Sequence, residues 1–162
     1  MSHLNTLLYI IASYFLGAIP FAILICYLLK GVDVRDHGSG NAGATNVYRV
    51  AGPFAAILVS ILDIAKGFVP VILAKSLAPE VEWLHITCGL AAVLGHVFPL
   101  FTHFRGGKGV NTLLGVFLVL LPLEVAISVA VFAAVAALTR IVSLGSMTAG
   151  VFLSVIVLIE KY

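Results

Sequence analysis

The chain has 162 residues, of which 62% are hydrophobic and only 10% are charged. Soluble domains carry about 45–50% apolar and about 25% charged residues. The composition therefore excludes a soluble globular protein, a disordered chain and a disulfide-rich secreted scaffold, and it indicates an integral membrane protein. The net charge of +2 is too small to indicate a nucleic-acid partner.

Six apolar runs follow one another along the chain. About 20 apolar residues cross a bilayer as a helix, because a helix satisfies its own backbone hydrogen bonds. We therefore predict an all-α helix bundle with six spans in a single transmembrane domain, residues 1–162. Gly17 and Pro20 predict a kink in the first span, and Pro122 and Glu124 predict a turn between the fourth and fifth. The runs cover residues 4–29, 50–74, 84–101, 109–123, 125–139 and 141–159.

The basic residues predict the orientation, because cytoplasmic connections carry an excess of Lys and Arg. The connections after the first, third and fifth runs hold six of the nine basic residues, and the opposite side holds only Lys75 and Lys161. We therefore expect an extracytoplasmic N-terminus. The six residues are Lys30, Arg35, Arg49, Arg105, Lys108 and Arg140.

Loop one (residues 37–49) is rich in glycine and small polar residues. Gly38, Gly40 and Gly43 match the G-x-G-x-x-G spacing, but no strand precedes them, so a dinucleotide-binding fold is not indicated. Glycines let backbone N–H groups surround an anion, and Arg49 adds a planar cation that suits phosphate. Neutral hydrogen-bonding side chains come from Ser39, Asn41, Thr45 and Asn46. Loop one thus predicts a phosphate site, and the alternative is a flexible polar connector.

Loop three (residues 95–109) ends in Arg-Gly-Gly-Lys-Gly. Arg105 and Lys108 place two cations around glycines, so a phosphate would find charge and backbone donors together at the start of the fourth helix. The spacing is not that of a Walker A loop, because Gly109 stands where Ser or Thr would ligate magnesium. The alternative is a basic anchor that only fixes the orientation of the chain.

Loop five (residues 139–146) contains Arg140, Ser143 and Ser146. By itself this segment is uninformative, because a Ser near a helix start is common. Together, the three loops predict a substrate with an anionic head and a fatty tail, bound where polar loops meet an apolar bundle.

The second and third spans contain buried polar residues. Asp63 and Lys66 are three residues apart on one helix face and are predicted to form an ion pair, since charges inside a membrane face the bundle interior. His96 is interpreted as a hydrogen-bonded core histidine in preference to a general base. No carboxylate cluster or histidine pair has metal-ligand spacing, so we predict no metal and no cofactor.

Four motifs in chain order resemble one family, the bacterial membrane acyl-phosphate glycerol-3-phosphate acyltransferases. These motifs are residues 38–49, 63–67, 95–99 and 106–109, and residues 140–146 look like the family's next motif. The resemblance implies transfer of a fatty acyl group from acyl phosphate to the 1-hydroxyl of glycerol 3-phosphate, giving lysophosphatidic acid and phosphate. It also implies a seven-helix bundle in the bacterial plasma (inner) membrane, with the active site facing the cytoplasm.

The resemblance assigns roles by position. Ser39, Arg49 and Lys108 would be catalytic, with Arg49 and Lys108 holding phosphate groups, while Asp63, Lys66 and His96 would support the site. Substrate would also contact Gly38, Gly40, Asn41, Thr45, Asn46, Gly106, Gly107, Ser143 and Ser146.

Two departures from the family pattern accompany these roles. Asn111 stands where the family usually has a small apolar residue. The sequence ends after the sixth run, whereas the family continues through a seventh helix that carries further His and Asn residues, so we expect that helix to be missing here.

Two other classes of function remain open. A small organic-anion transporter would place charged or broken-helix sites near the bilayer midplane, often in paired halves. A non-catalytic membrane subunit is the third interpretation. Polar residues gathered at one membrane face favour surface chemistry over transport.

Overall fold

The computed structural model describes residues 3–161, and this part of the chain is helical and contains no strand. The predicted all-α class is confirmed. The chain divides into two compact units, the first ending at Val119 and the second beginning at Leu120. The helices are α1 (His3–Gly17), α2 (Phe21–Lys30), α3 (Ala44–Ala51), α4 (Pro53–Leu77), α5 (Glu82–Val97), α6 (Val110–Leu120), α7 (Pro122–Thr139) and α8 (Val142–Lys161).

Five stretches of the described residues are long and apolar enough to cross a membrane. They are His3–Lys30, Pro53–Leu77, Glu82–Thr102, Pro122–Thr139 and Val142–Glu160. The fourth predicted run forms α6, which has 11 residues and is about 16 Å long, shorter than a hydrocarbon core of about 30 Å. The count of six spans and the orientation of the N-terminus therefore stay predictions.

The first span is broken, as Gly17 and Pro20 predicted. Proline has no N–H, so the carbonyl of Leu16, four residues earlier, loses its helical donor. The carbonyl of Ile19 lies in the break between α1 and α2. It accepts from the ammonium of Lys66 at 3.0 Å and from the backbone N–H of Phe21 at 3.1 Å. An exposed carbonyl at membrane depth is costly, and Lys66 removes that cost.

The second predicted run contains two helices. Gly52 has a φ of +87° and separates α3 from α4, and Pro53 occupies the first turn of α4, where its missing N–H has no consequence. The predicted start at residue 50 was therefore wrong, because the apolar pattern continues across a glycine that turns the backbone.

Helices α1 and α5 pack closely through two glycines. A Cβ at Gly17 would overlap the carbonyl oxygen of Ala92, and a Cβ at Gly95 would overlap that of Tyr14. Small residues permit such approach, and in a bilayer van der Waals packing replaces the hydrophobic effect as the driving force between helices.

Helices α4 and α6 also pack closely, and each contributes one glycine to the contact. A Cβ at Gly67 of α4 would overlap the carbonyl oxygen of Thr112, and a Cβ at Gly115 of α6 would overlap that of Ile64. This contact holds the short helix α6 against the longest helix of the first unit.

We expect Gly115→Ala to destabilise the protein, because the added methyl group must push α6 away from α4. Overpacking of this kind costs about 1–3 kcal/mol, which thermal unfolding in detergent will detect as a lower Tm. Gly150→Ala is the matched control, since nothing lies within 4 Å of a Cβ there. An unchanged Tm for Gly115→Ala would show that α4 and α6 do not pack as described.

The second unit contains α7 and α8. The predicted turn at Pro122 and Glu124 was misplaced, because Leu121 precedes α7 and both residues lie in its first turn. Proline suits the first helical position, and an acidic side chain is favoured by the positive end of the helix dipole. Within this unit, Gly145 of α8 packs on the ring of Phe132.

Candidate active site

The buried side chain of Asn46 organises loop one. Its Oδ1 accepts from the backbone N–H of Ser39 at 2.8 Å. Its Nδ2 donates to the carbonyl oxygens of Val34, His37 and Asn41 at 2.8, 2.9 and 3.1 Å. Asn46 was predicted to contact substrate, but both of its polar atoms are engaged by the loop, so the geometry gives it a structural role.

The glycines of loop one make room for this amide. Gly38 and Gly40 have φ values of +60° and +72°, which L side chains rarely adopt. A Cβ at Gly38 would also overlap Asn46 Oδ1. The N–H of Gly40 donates to the carbonyl of His37 at 3.1 Å. Two N–H groups of the predicted anion nest, those of Ser39 and Gly40, are therefore already bonded within the loop.

Helix α3 presents the second half of loop one. Ala44 and Thr45 begin the helix, so their N–H groups have no acceptor inside it. Thr45 and Arg49 are exposed and four residues apart, which places them on one helix face. Arg49 also lines an open groove together with Lys30, Val32, His37, Gly38 and Val50.

Loop three reverses direction sharply after α5. His103 and Phe104 are consecutive non-glycine residues with φ values of 55° and 59°, an arrangement that costs free energy and concentrates at functional sites. The turn is closed by Thr102, whose carbonyl accepts from the N–H of Arg105 and whose hydroxyl donates to the Arg105 carbonyl, both at 3.2 Å. The reversal carries the following glycines back onto the end of α5.

Gly106 and Gly107 lie against His96 with no space for a side chain. A Cβ at Gly106 would overlap the carbonyl oxygen of His96. A Cβ at Gly107 would overlap His96 Nε2 and would lie 2.6 Å from the carbonyl oxygen of Ala42 in loop one. The N–H of Gly107 donates to the His96 carbonyl at 3.2 Å. Loops one and three therefore meet at Gly107, and Lys108 follows on the exposed side.

A buried polar network lies beneath this meeting point. Lys66 Nζ is 2.9 Å from Asp63 Oδ1, and both side chains are only 3% exposed, so the predicted ion pair is present. The angles do not make this contact a hydrogen bond, and Lys66 directs a hydrogen bond to Ile19 instead. His96 Nδ1 lies 3.0 Å from the hydroxyl of Thr112 and 3.7 Å from Asp63 Oδ1. The histidine is hydrogen-bonded in the core, as the sequence predicted.

One cleft in the first unit collects these features. Loop one contributes Ala42, and the break between α1 and α2 forms one wall. The remaining lining residues are Asp63, Lys66, His96, Pro99, Thr102, Arg105, Gly106 and Gly107. Five of the predicted site residues therefore line one cleft: Gly106, Gly107, Asp63, Lys66 and His96.

Thr102 and Arg105 line this cleft without having been assigned to the site. Arg105 was named as a cation of the predicted phosphate site in loop three, but the family resemblance gave it no role. Nothing in the sequence distinguishes Thr102, because its role depends on a turn closed by local hydrogen bonds.

Two predicted residues belong to the second unit. Ser143 is exposed near the start of α8, and the hydroxyl of Ser146 donates to the carbonyl of Val142 at 3.0 Å. The grouping of loops one and three concerns the first unit alone, so the assignment of Ser143 and Ser146 to substrate stays a prediction.

Comparison with known proteins gives a consistent result. The family described as glycerol-3-phosphate acyltransferase matches residues 7–161. The glycerol-3-phosphate acyltransferase of Myxococcus xanthus (strain DK1622) is 50% identical over 141 residues, covering 87% of this chain and 73% of the relative. That of Fusobacterium nucleatum subsp. nucleatum is 47% identical over 147 residues, covering 91% and 75%.

Two solved structures are also similar. Both are crystal structures of PlsY, an integral membrane glycerol 3-phosphate acyltransferase, and the chain covers 78% of each while 98% of its own length is matched. The glycerol 3-phosphate form is 41% identical with a TM-score of 0.92. The lysophosphatidic acid form is 40% identical with a TM-score of 0.88.

Proposed function

Because the chain belongs to the glycerol-3-phosphate acyltransferase family, we propose that it transfers a fatty acyl group from an acyl phosphate to the 1-hydroxyl of glycerol 3-phosphate. The products are lysophosphatidic acid and inorganic phosphate. The observation that carries this proposal is the meeting of the two glycine loops at Gly107, which brings the segments that carry Arg49 and Lys108 together. Two cations on adjoining loops suit a reaction between two phosphate-bearing substrates.

Loop one is proposed to bind glycerol 3-phosphate. Arg49 provides a guanidinium that binds phosphate through two parallel hydrogen bonds, and the start of α3 adds free N–H groups and the positive end of its dipole. Thr45 shares the helix face of Arg49. The hydroxyl of Ser39 and the buried, unbonded Oδ1 of Asn41 remain to hydrogen-bond the glycerol hydroxyls.

Lys108 is proposed to bind the acyl phosphate and to stabilise the transition state. The oxygen of the 1-hydroxyl attacks the acyl carbonyl carbon, the bond from that carbon to the phosphate oxygen breaks, and phosphate leaves. Negative charge develops on the carbonyl oxygen and the leaving phosphate, where a fixed cation is most effective. The N–H of Gly107 is bonded to His96, so this stabilisation falls to the ammonium of Lys108.

The leaving phosphate is proposed to accept the proton of the attacking hydroxyl. An acyl phosphate provides its own good leaving group with oxygens beside the reacting carbon, so the site needs no protein base. His96 is 6% exposed and bonded to Thr112, which suits a residue that supports Gly107. Positioning of the two substrates supplies much of the rate enhancement.

The enzyme is proposed to lie in the bacterial plasma membrane with this cleft facing the cytoplasm. The six basic residues of the connections after the first, third and fifth runs support this orientation. The contact between loops one and three supports it too, since it places both connections at one end of the first unit.

The purified chain will test the proposed donor. Palmitoyl phosphate with glycerol 3-phosphate should release phosphate and form lysophosphatidic acid, whereas palmitoyl-CoA should give no product. Transfer from palmitoyl-CoA alone would overturn the proposed donor. Passage of glycerol 3-phosphate into liposomes without acyl transfer would favour the transporter.

A further inference from the structure

Arg35 connects the segment before loop one to loop three. Its Nη1 donates to the carbonyl oxygen of Thr102 at 3.3 Å, across 67 residues of sequence. That carbonyl also accepts from the N–H of Arg105 and closes the turn that precedes Gly106. Arg35 therefore holds loop three at the turn that precedes its glycine segment.

The guanidinium of Arg35 is itself fixed by Asp33. Its Nε lies 3.1 Å from each carboxylate oxygen and its Nη2 lies 2.6 Å from Oδ2, while the backbone N–H of Arg35 donates to Oδ1 at 2.9 Å. The hydrogen bond from the Arg35 side chain is the main cause that lowers the pKa of Asp33, and the same bond raises the pKa of Arg35. Both groups stay charged at neutral pH. The planar guanidinium, bonded to both carboxylate oxygens, has little rotational freedom.

The same turn also touches loop one. The carbonyl of Val34 accepts from Nδ2 of Asn46 at 2.8 Å, and Gly40 packs beside the carbonyl of Arg35, where a Cβ would lie 3.4 Å away. Val34, next to Arg35, therefore contacts the Asn46 amide that organises loop one. The side chain of Arg35 contacts the turn of loop three.

We propose that Arg35 is a positioning residue that sets the spacing of loops one and three, and so the spacing of Arg49 and Lys108. The inference rests on the proposed function, since it assigns the two loops to two substrates of one reaction. An ordinary surface ion pair contributes about 0–1 kcal/mol to stability and would leave the kinetics unchanged. Misplacing reacting groups by about 1 Å can instead cost 10²-fold in rate.

The test compares Arg35→Ala, Arg35→Lys and Asp33→Asn with the unmodified chain in the phosphate-release assay. We expect Arg35→Ala to lower kcat/KM for glycerol 3-phosphate about 10–100-fold, mostly through kcat, with a small change in Tm. Arg35→Lys should recover only part of this loss, because a single nitrogen replaces the planar guanidinium, which bonds Thr102 and Asp33 through different nitrogens. Asp36→Asn is the matched control for Asp33→Asn, because Asp36 is exposed on the same turn, and it should leave the kinetics unchanged.

Hydrogen exchange gives a readout independent of activity. Residues 105–109 should exchange faster in Arg35→Ala, while residues 60–70 of α4 keep their protection. Arg35→Ala with kinetics within twofold of the unmodified chain and unchanged exchange at residues 105–109 would overturn the inference, as would full recovery of activity by Arg35→Lys. An unmodified chain without activity would contradict the proposed function but not the role of Arg35. Hydrogen exchange in Arg35→Ala would then still test whether Arg35 holds loop three.

Discussion

Lys108→Ala should reduce kcat/KM for phosphate release by about 10²–10³-fold, the loss that follows removal of one group stabilising transition-state charge. Lys108 directly follows the contact of Gly107 with loop one, so its ammonium would reach a phosphate held between the two loops. The variant should fold normally, because the side chain is exposed. Steady-state phosphate release with palmitoyl phosphate measures the effect.

Arg49→Ala should be similarly inactive but with a different kinetic pattern. If Arg49 holds glycerol 3-phosphate, KM for that substrate should rise more than KM for the acyl phosphate, and Arg49→Lys should not restore it, because the planar fork is lost. Lys75→Ala is the control, since it removes the same charge from an exposed position near the other end of α4. Activity close to that of the unmodified chain in both Lys108→Ala and Arg49→Ala would contradict the assigned roles.

Lys66→Met should destabilise the protein by about 3–5 kcal/mol, the range for removing one partner of a buried ion pair. The substitution leaves the carboxyl group of Asp63 almost fully buried without its partner, and it removes one of the two hydrogen bonds to the carbonyl of Ile19. Lys66 also lies 5.7 Å from the centre of the Phe21 ring, a contact that stabilises a desolvated cation. Thermal unfolding in detergent should show a much lower Tm.

The double variant Asp63→Asn, Lys66→Met separates the two contributions. It leaves no unpaired charge, so its Tm should lie above that of Lys66→Met. It should still lie below that of the unmodified chain, because the carbonyl of Ile19 loses the hydrogen bond from Lys66 and keeps only that from the N–H of Phe21. Lys75→Met on the same helix should have little effect. A double variant less stable than Lys66→Met would show that loss of the ion pair does not cause the destabilisation.

The sequence predicted those features that depend on local pattern. Apolar runs identified the membrane helices, Pro20 identified the break in the first span, and the three-residue spacing of Asp63 and Lys66 identified their pairing. These predictions succeed because helix geometry relates residues three or four positions apart, and because hydrocarbon permits few alternatives to a helix.

Features that depend on distant contacts were not predicted. The sequence marks Asn46 as polar, but only the fold shows that its amide bonds two carbonyl groups and one N–H group of loop one and the carbonyl of Val34 before it. Arg35 looked like one more cytoplasmic cation, because its contact with Thr102 joins residues 67 positions apart. Helix α3 was not predicted, because residues 44–49 were assigned to loop one and residues 50 and 51 to the second run, and hydrophobicity does not report the positive φ of Gly52.

The close packing around Gly107 has a consequence for inhibition and resistance. Any side chain at Gly106 or Gly107 would collide with His96, or with His96 and Ala42, before it could reach a molecule that approaches loop three. A compound that contacts these two backbone positions would therefore bind a surface that single substitutions cannot reshape without displacing loop three. Substitutions that confer resistance to such a compound would have to arise at other residues that it contacts.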